Sequence, residues 1–244
     1  MATKDKAPAR TGSAKAPERI SGEAEVSAFL DKVNRLAPAV TTGRGRLIFA
    51  MDATMSRQPT WDMALGLQAD MFRAVKEIGG LNVQLVYFRG LGECRASKWV
   101  DDPDALARLM TRVSCQGGYT QIARVLTHAR AESEKTKVNA VVYVGDCMEE
   151  DVDHLCALAG ELGLLGSPVF MFQEGHDARA ERAFREIARL SGGAWCRFDE
   201  GSAAQLRELL SAVAVYAAGG RKALADMDRT RGTRLLLEQL GGAE

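Results

Sequence analysis

Apolar residues in this chain fall into two patterns, short uninterrupted runs and longer stretches with helical spacing, and the two alternate. Leu47-Ile48-Phe49-Ala50-Met51 is an uninterrupted run that stops at Asp52, and Val138–Gly145 is a second that stops at Asp146. A strand covered on both faces needs apolar residues at every position, whereas a half-exposed strand alternates. Further strands are predicted at Leu81–Phe88, Ser97–Val100, Val169–Phe172 and Ala194–Phe198. Between them the spacing predicts helices over Trp61–Ile78, Pro103–Val113, Thr120–Glu132, Val152–Leu164, Ala178–Leu190 and Ala203–Tyr216. Proline, aspartate or threonine opens several of these helices. The pairs Gly79-Gly80 and Gly192-Gly193 close two, and Gly219-Gly220 is expected to end the domain. Strands alternating with helices imply an α/β fold, a doubly wound, mostly parallel open sheet with helices on both faces and right-handed crossovers. In such sheets ligands sit beyond the carboxyl ends of the strands, where strand order reverses.

Residues 1–22 lack periodicity and are rich in small, charged and proline residues, so they are expected to form a disordered arm. A short helix over Glu23–Leu36 and the polar link Thr41-Thr42-Gly43-Arg44-Gly45 lead into the main domain over 45–218. A tail over 219–244, with Leu235-Leu236-Leu237 and Leu240 clustered, could pack on the domain or dock a partner as a short helix.

With 244 residues, 46% of them hydrophobic, the chain can fill one sizeable core and has less than a full domain left over. Lysine plus arginine equals aspartate plus glutamate at 32 each, so no overall field draws in nucleic acid or an anionic membrane. The N-terminus lacks the apolar core of a secretory signal, and no run approaches the roughly 20 apolar residues of a membrane span. The expectation is a soluble, cytoplasmic, bacterial-looking protein. Five cysteines, Cys94, Cys115, Cys147, Cys156 and Cys196, show no C-x-x-C spacing and read as reduced packing residues, including Cys147 beside Asp146.

The chemistry gathers at the two strand ends. Asp52-Ala53-Thr54-Met55-Ser56 sets three short oxygen-bearing side chains at alternate positions, which an extended or turning chain can aim to one side. Asp146 ends the second buried strand, and Thr120 follows the tight turn allowed by Gly117-Gly118, so all five can converge on one crevice. Two carboxylates and three hydroxyls are hard oxygen donors, suited to magnesium first, or to manganese or calcium, and poorly suited to zinc or copper.

Asp52-x-Thr54-x-Ser56, Thr120 after Gly117-Gly118, and Gly145-Asp146 after an apolar strand resemble the metal-ion-dependent adhesion site (MIDAS) of the von Willebrand factor type A (vWA) family, across residues 45–218. The resemblance implies a Rossmann-like vWA fold and a magnesium-dependent protein-interaction module. In such a module an aspartate or glutamate of the partner completes the metal's coordination. It also implies an adaptor or assembly subunit of a cytoplasmic complex, of the kind associated with AAA+ ATPases, with no nucleic acid or membrane as partner. Two positions depart from the family pattern. Thr54 stands where serine is usual and keeps the hydroxyl. Cys147-Met148-Glu149-Glu150-Asp151 replaces a following glycine and makes the rim acidic, which bears on partner preference.

Simpler readings exist for single residues. Thr120 alone reads as a helix N-cap, and Glu149, Glu150, Asp151 and Asp153 as a solvated first helical turn. His128, His154 and His176 show no ligand spacing, and Trp61 reads as packing beneath the first domain helix. An enzymatic alternative makes Asp52 the nucleophile of a phosphoryl-transfer or phosphohydrolase domain. Such a site needs a cation near the strand ends, and Lys98, Lys135 and Lys137 are poorly placed for it. No phosphate-cradling G-x-x-x-x-G-K-[ST] loop is present, and no G-x-G-x-x-G follows the first strand. A structural alternative keeps the residues but uses them only for hydrogen bonding.

Overall fold

The computed structural model describes residues 23–35, 44–75, 80–198, 204, 206–220 and 223. The N-terminal arm, the link over 36–43 and the tail over 224–244, with its leucine cluster, lie outside the described residues.

The first uninterrupted apolar run forms β1 (Gly45–Asp52), buried along nearly its whole length. The strands β2 (Leu81–Arg89), β3 (Glu93–Ala96), β4 (Ala140–Gly145), β5 (Val169–Glu174) and β6 (Trp195–Phe198) join it in the order β3-β2-β1-β4-β5-β6. All neighbours are parallel except β3, which runs antiparallel to β2. Strand order therefore reverses between β1 and β4, the pair that carries the two aspartates. Their register sets Met51 beside Val144, so the chain leaves both strands at the same level.

Helices cover both faces, as the uninterrupted apolar runs require. One face of β1, with Leu47, Phe49 and Met51, packs against α1 (Glu23–Arg35), α2 (Gln58–Val75), α3 (Pro103–Met110) and α7 (206–220). The opposite face, with Ile48 and Ala50, packs against α4 (Ile122–Lys135), α5 (Val152–Leu164) and α6 (Ala178–Leu190). α6 shows why its sequence is helical: Ala180, Ala183, Phe184, Ile187 and Ala188 recur every three or four residues and are its buried stripe. Asp102, Asp151 and Asp177 each accept a backbone N–H three residues on and so cap α3, α5 and α6. Trp61 is buried, and its indole N–H donates to the Met110 carbonyl at 3.2 Å, in keeping with a packing role.

Three expectations need correction. The short strand expected at Ser97–Val100 lies earlier, at Glu93–Ala96, because the turn over Gly90–Gly92 folds the chain straight back along β2. Val100 keeps only an isolated bridge to Val83, and the apolar signal there came from Trp99, which stacks under the Arg46 guanidinium at 3.9 Å. The last helix, expected to end near Tyr216, runs on through 220. The helix expected from Thr120 begins at Ile122.

Phe170 is fully buried against Phe29 and Tyr216. Phe170→Ala is expected to cost about 3–5 kcal/mol in urea unfolding. Leu164→Ala, on an exposed side chain, is expected to change stability by less than about 0.5 kcal/mol.

Candidate metal centre

Asp52 is the last residue of β1, and its carboxylate turns the chain. Oδ1 accepts the Thr54 N–H at 2.7 Å, an Asx turn that leads into a short 3-10 turn over Met55–Arg57. Asp52 and Thr54 are buried by this fold-back. Ser56 lies within the 3-10 turn, and its side chain is outside the described atoms. The second carboxylate oxygen of Asp52 is buried and has no hydrogen-bond partner. Burial, partly offset by the Thr54 bond and added to by the Asp146 charge, raises the Asp52 pKa from 3.8 to about 6.

Thr120 is also buried at this end of the sheet. The loop that carries it is tied to the others: the Gln116 N–H donates to the Ala53 carbonyl at 2.9 Å, and the Tyr119 N–H to the Gly90 carbonyl at 3.2 Å. Gly118 permits this approach, since a Cβ there would stand 2.0 Å from the Gly90 oxygen. Thr120 does not cap α4. Its N–H donates to the Glu149 carboxylate at 3.1 Å, and its hydroxyl accepts the Glu149 N–H at 3.1 Å. The cap is Glu150, whose carboxylate accepts the N–H groups of Ile122 and Ala123. These two glutamates thus brace the Thr120 loop and α4, and only Asp151 and Asp153 serve the start of their own helix.

Sequence reasoning missed three contributors. Arg57 is only 2% exposed, and it forms an ion pair with Glu174 at the end of β5 and lies 4.0 Å from the Asp146 carboxylate. Glu174 also accepts the Thr60 hydroxyl. The cation at this end of the sheet is an arginine, not one of the lysines. Lys137, as expected, sits away from the crevice and donates to the Leu165 and Gly166 carbonyls. Tyr143 is the third contributor. Its fully buried hydroxyl has no hydrogen-bond partner and lies 2.7 Å from where a Cβ on Gly145 would be. Burial first, then the Asp52 and neighbouring charges, hold its pKa well above the phenol range, so it remains a neutral O–H donor at the crevice floor.

Three carboxylates, Asp52, Asp146 and Glu174, surround one guanidinium, Arg57, which leaves a formal deficit of two positive charges. A divalent cation matches that deficit, and the partnerless Asp52 oxygen is a hard donor suited to it. The residues present therefore fit such an ion: Asp52 and Asp146 as charged donors, with Thr54 and Thr120 as hydroxyl or water-bridged donors. Among the described residues no group of three or more His, Cys, Asp or Glu side chains is placed to hold a metal ion. Burial also raises the Cys147 thiol to about 12, with Asp146 adding to the shift, which suits packing rather than reactivity.

No protein-family model matches the chain, and no curated protein matches it by sequence. Solved structures do. An aerotolerance-related membrane protein from Bacteroides fragilis aligns at 18% identity over 66% of this chain and 95% of its own, with a TM-score of 0.52. The VWA domain of SpRpn10 aligns at 11% identity over 73% and 97% of the two chains, also at 0.52. Proximal thread matrix protein 1 of the mussel byssus, with a zinc-occupied MIDAS motif, aligns at 15% identity over 70% and 46%, at 0.55. At such identities the likeness establishes the fold and transfers no side chain: the chain has the Rossmann-like α/β fold of vWA domains. No helix among the described residues is long and apolar enough to cross a membrane.

A raised Asp52 pKa means that the folded form holds a proton that the unfolded chain releases between pH 3.8 and about 6. In EDTA the parent is expected to lose stability relative to Asp52→Asn as pH rises through that window, reaching a gap of about 3 kcal/mol at pH 7. Urea unfolding across pH measures it, and a gap that does not vary with pH would show that ionised Asp52 carries no burial penalty.

Proposed function

We propose that the chain is a divalent-metal-dependent protein-interaction module of the vWA type. Its metal is held by Asp52, Thr54, Ser56, Thr120 and Asp146 and completed by an acidic residue of a partner protein. The observation that carries this reading is the buried, partnerless Asp52 oxygen, set near Asp146 in a crevice two positive charges short of balance. Magnesium suits a sparse hard-oxygen site that leaves a position open. The zinc in the mussel protein's MIDAS makes zinc a second ion to test. The module works as a cytoplasmic adaptor or assembly subunit, an AAA+ ATPase being one partner of the kind the family resemblance suggests.

Catalysis is disfavoured by the state of Arg57, which is buried and already engaged by the Glu174 carboxylate, with the Asp146 carboxylate 4.0 Å away, so its charge is committed to protein carboxylates and not held ready for a transferring phosphoryl group. A second reading rests on the same residue. In it Arg57, 4.0 Å from Asp146, supplies the positive charge without a metal, and the site is purely structural.

Thermal unfolding in EDTA and then in magnesium, manganese, calcium or zinc separates the two. An ion at a hundred times its Kd stabilises by about 2.7 kcal/mol, which raises Tm by about 5–10 °C in a domain of this size. That rise is expected in the parent and absent in Asp52→Ala, whose fold is checked by circular dichroism because the substitution also removes the buried Asp52–Thr54 turn. No rise with any ion in a folded parent would favour the structural reading.

A further inference from the structure

Three neighbouring parallel strands, β1, β4 and β5, each finish with a carboxylate. Met51 pairs with Val144 and Gly145 with Gln173, so Asp52, Asp146 and Glu174 leave the sheet within one residue of the same level. Adjacent strands lie about 4.8 Å apart, which sets the three acids in a row. The cation among them is Arg57, brought over the row by the 3-10 turn that begins at Met55. One of its nitrogens, Nη1, faces two of the three acids: it is paired with Glu174 and lies 4.0 Å from Asp146.

Stability alone does not account for this pair. Nε and Nη2 of Arg57 are buried without a hydrogen-bond partner among the described residues, so most of the guanidinium's donors go unused. Stranded donors cost free energy, and a buried ion pair adds little stability over an apolar pair of the same shape. What the pair does is fix where the positive charge sits. Glu174 is itself held by Thr60, fully buried in the first turn of α2, whose hydroxyl donates to the carboxylate oxygen that Arg57 engages. Arg57 is thereby kept at the β5 end of the row, and the buried Asp52 oxygen at the other end keeps no hydrogen-bond partner.

We propose that Glu174 is a positioning residue that holds Arg57 off the two aspartates, so that this ion pair sets how tightly the crevice binds its metal. This rests on the metal-dependent reading above and adds two residues that regulate it. Without the Glu174 charge, Asp146 is the carboxylate left facing Nη1, and the guanidinium settles there as a tethered cation that competes with the metal. Without the Arg57 charge, all three carboxylates act on the ion and it binds more tightly. The two halves of one ion pair thus shift metal affinity in opposite directions, which a pair serving only to hold the fold does not do. Neutralising both returns the crevice to the parent's charge balance.

The test uses the full chain, freed of metal with EDTA and titrated with magnesium. The magnesium Kd of each variant is taken from the rise in Tm above that variant's own metal-free value, and circular dichroism checks the fold. Relative to the parent, Kd is expected to rise at least about tenfold in Glu174→Gln and to fall at least about tenfold in Arg57→Gln. The double variant is expected to return within about threefold of the parent, even though each single change lowers the metal-free Tm by breaking a buried pair. Unchanged Kd values, or shifts of the same sign in both single variants, would overturn the proposal and leave the pair structural. If Arg57→Gln does not fold, the other two decide: weak binding in Glu174→Gln that the double variant restores supports the proposal, and equally weak binding in both overturns it. A parent with no rise in any ion fails the metal reading itself and takes this proposal with it, whereas failure of the proposal alone leaves the parent's rise intact.

Discussion

The parallel pairing of β1 with β4 places two carboxylates at neighbouring strand ends, and the rest of the site accommodates that charge. Met51 lies beside Val144, so Asp52 and Asp146 leave the sheet together at the point where strand order reverses. Burying carboxylates next to each other is costly, and the cost appears as an Asp52 pKa raised to about 6. Arg57 and Glu174 bring one positive and one further negative charge and so leave the deficit in place. The cation we propose for this crevice would remove it.

Apart from the Asp52 turn onto Thr54, the surrounding loops are fixed by bonds that do not involve the aspartates. Glu149 and Glu150 hold the Thr120 loop and the first N–H groups of α4, and Gly118 allows the Gly90 turn to close on it. Rigid loops over a charged crevice suit recognition, because binding then orders the partner more than the protein.

Much of this was legible in the sequence, for physical reasons that also explain the failures. α5 and α6 fall where helical periodicity placed them, and Asp151 and Asp177 cap them, since those signals are local. The aspartates stood out because each interrupts an apolar run that only a doubly covered strand would carry. β3 was misplaced because a half-exposed edge strand has little hydrophobic signature, while Trp99 and Val100 beside it do. Arg57 and Glu174 were invisible as a pair, since one ends a short 3-10 turn, the other a strand far along the chain, and nothing local joins them. Glu150 read as part of its own helix because its cap reaches across to a helix that precedes it.

The most direct measurement is a crystal structure grown in manganese, with an anomalous difference map calculated around the carboxyl ends of β1 and β4. The account predicts a peak beside the Asp52 carboxylate, shared with Asp146 directly or through a coordinated water, with Arg57 still paired to Glu174. No peak there, with the Arg57 guanidinium bridging both aspartates instead, would contradict it.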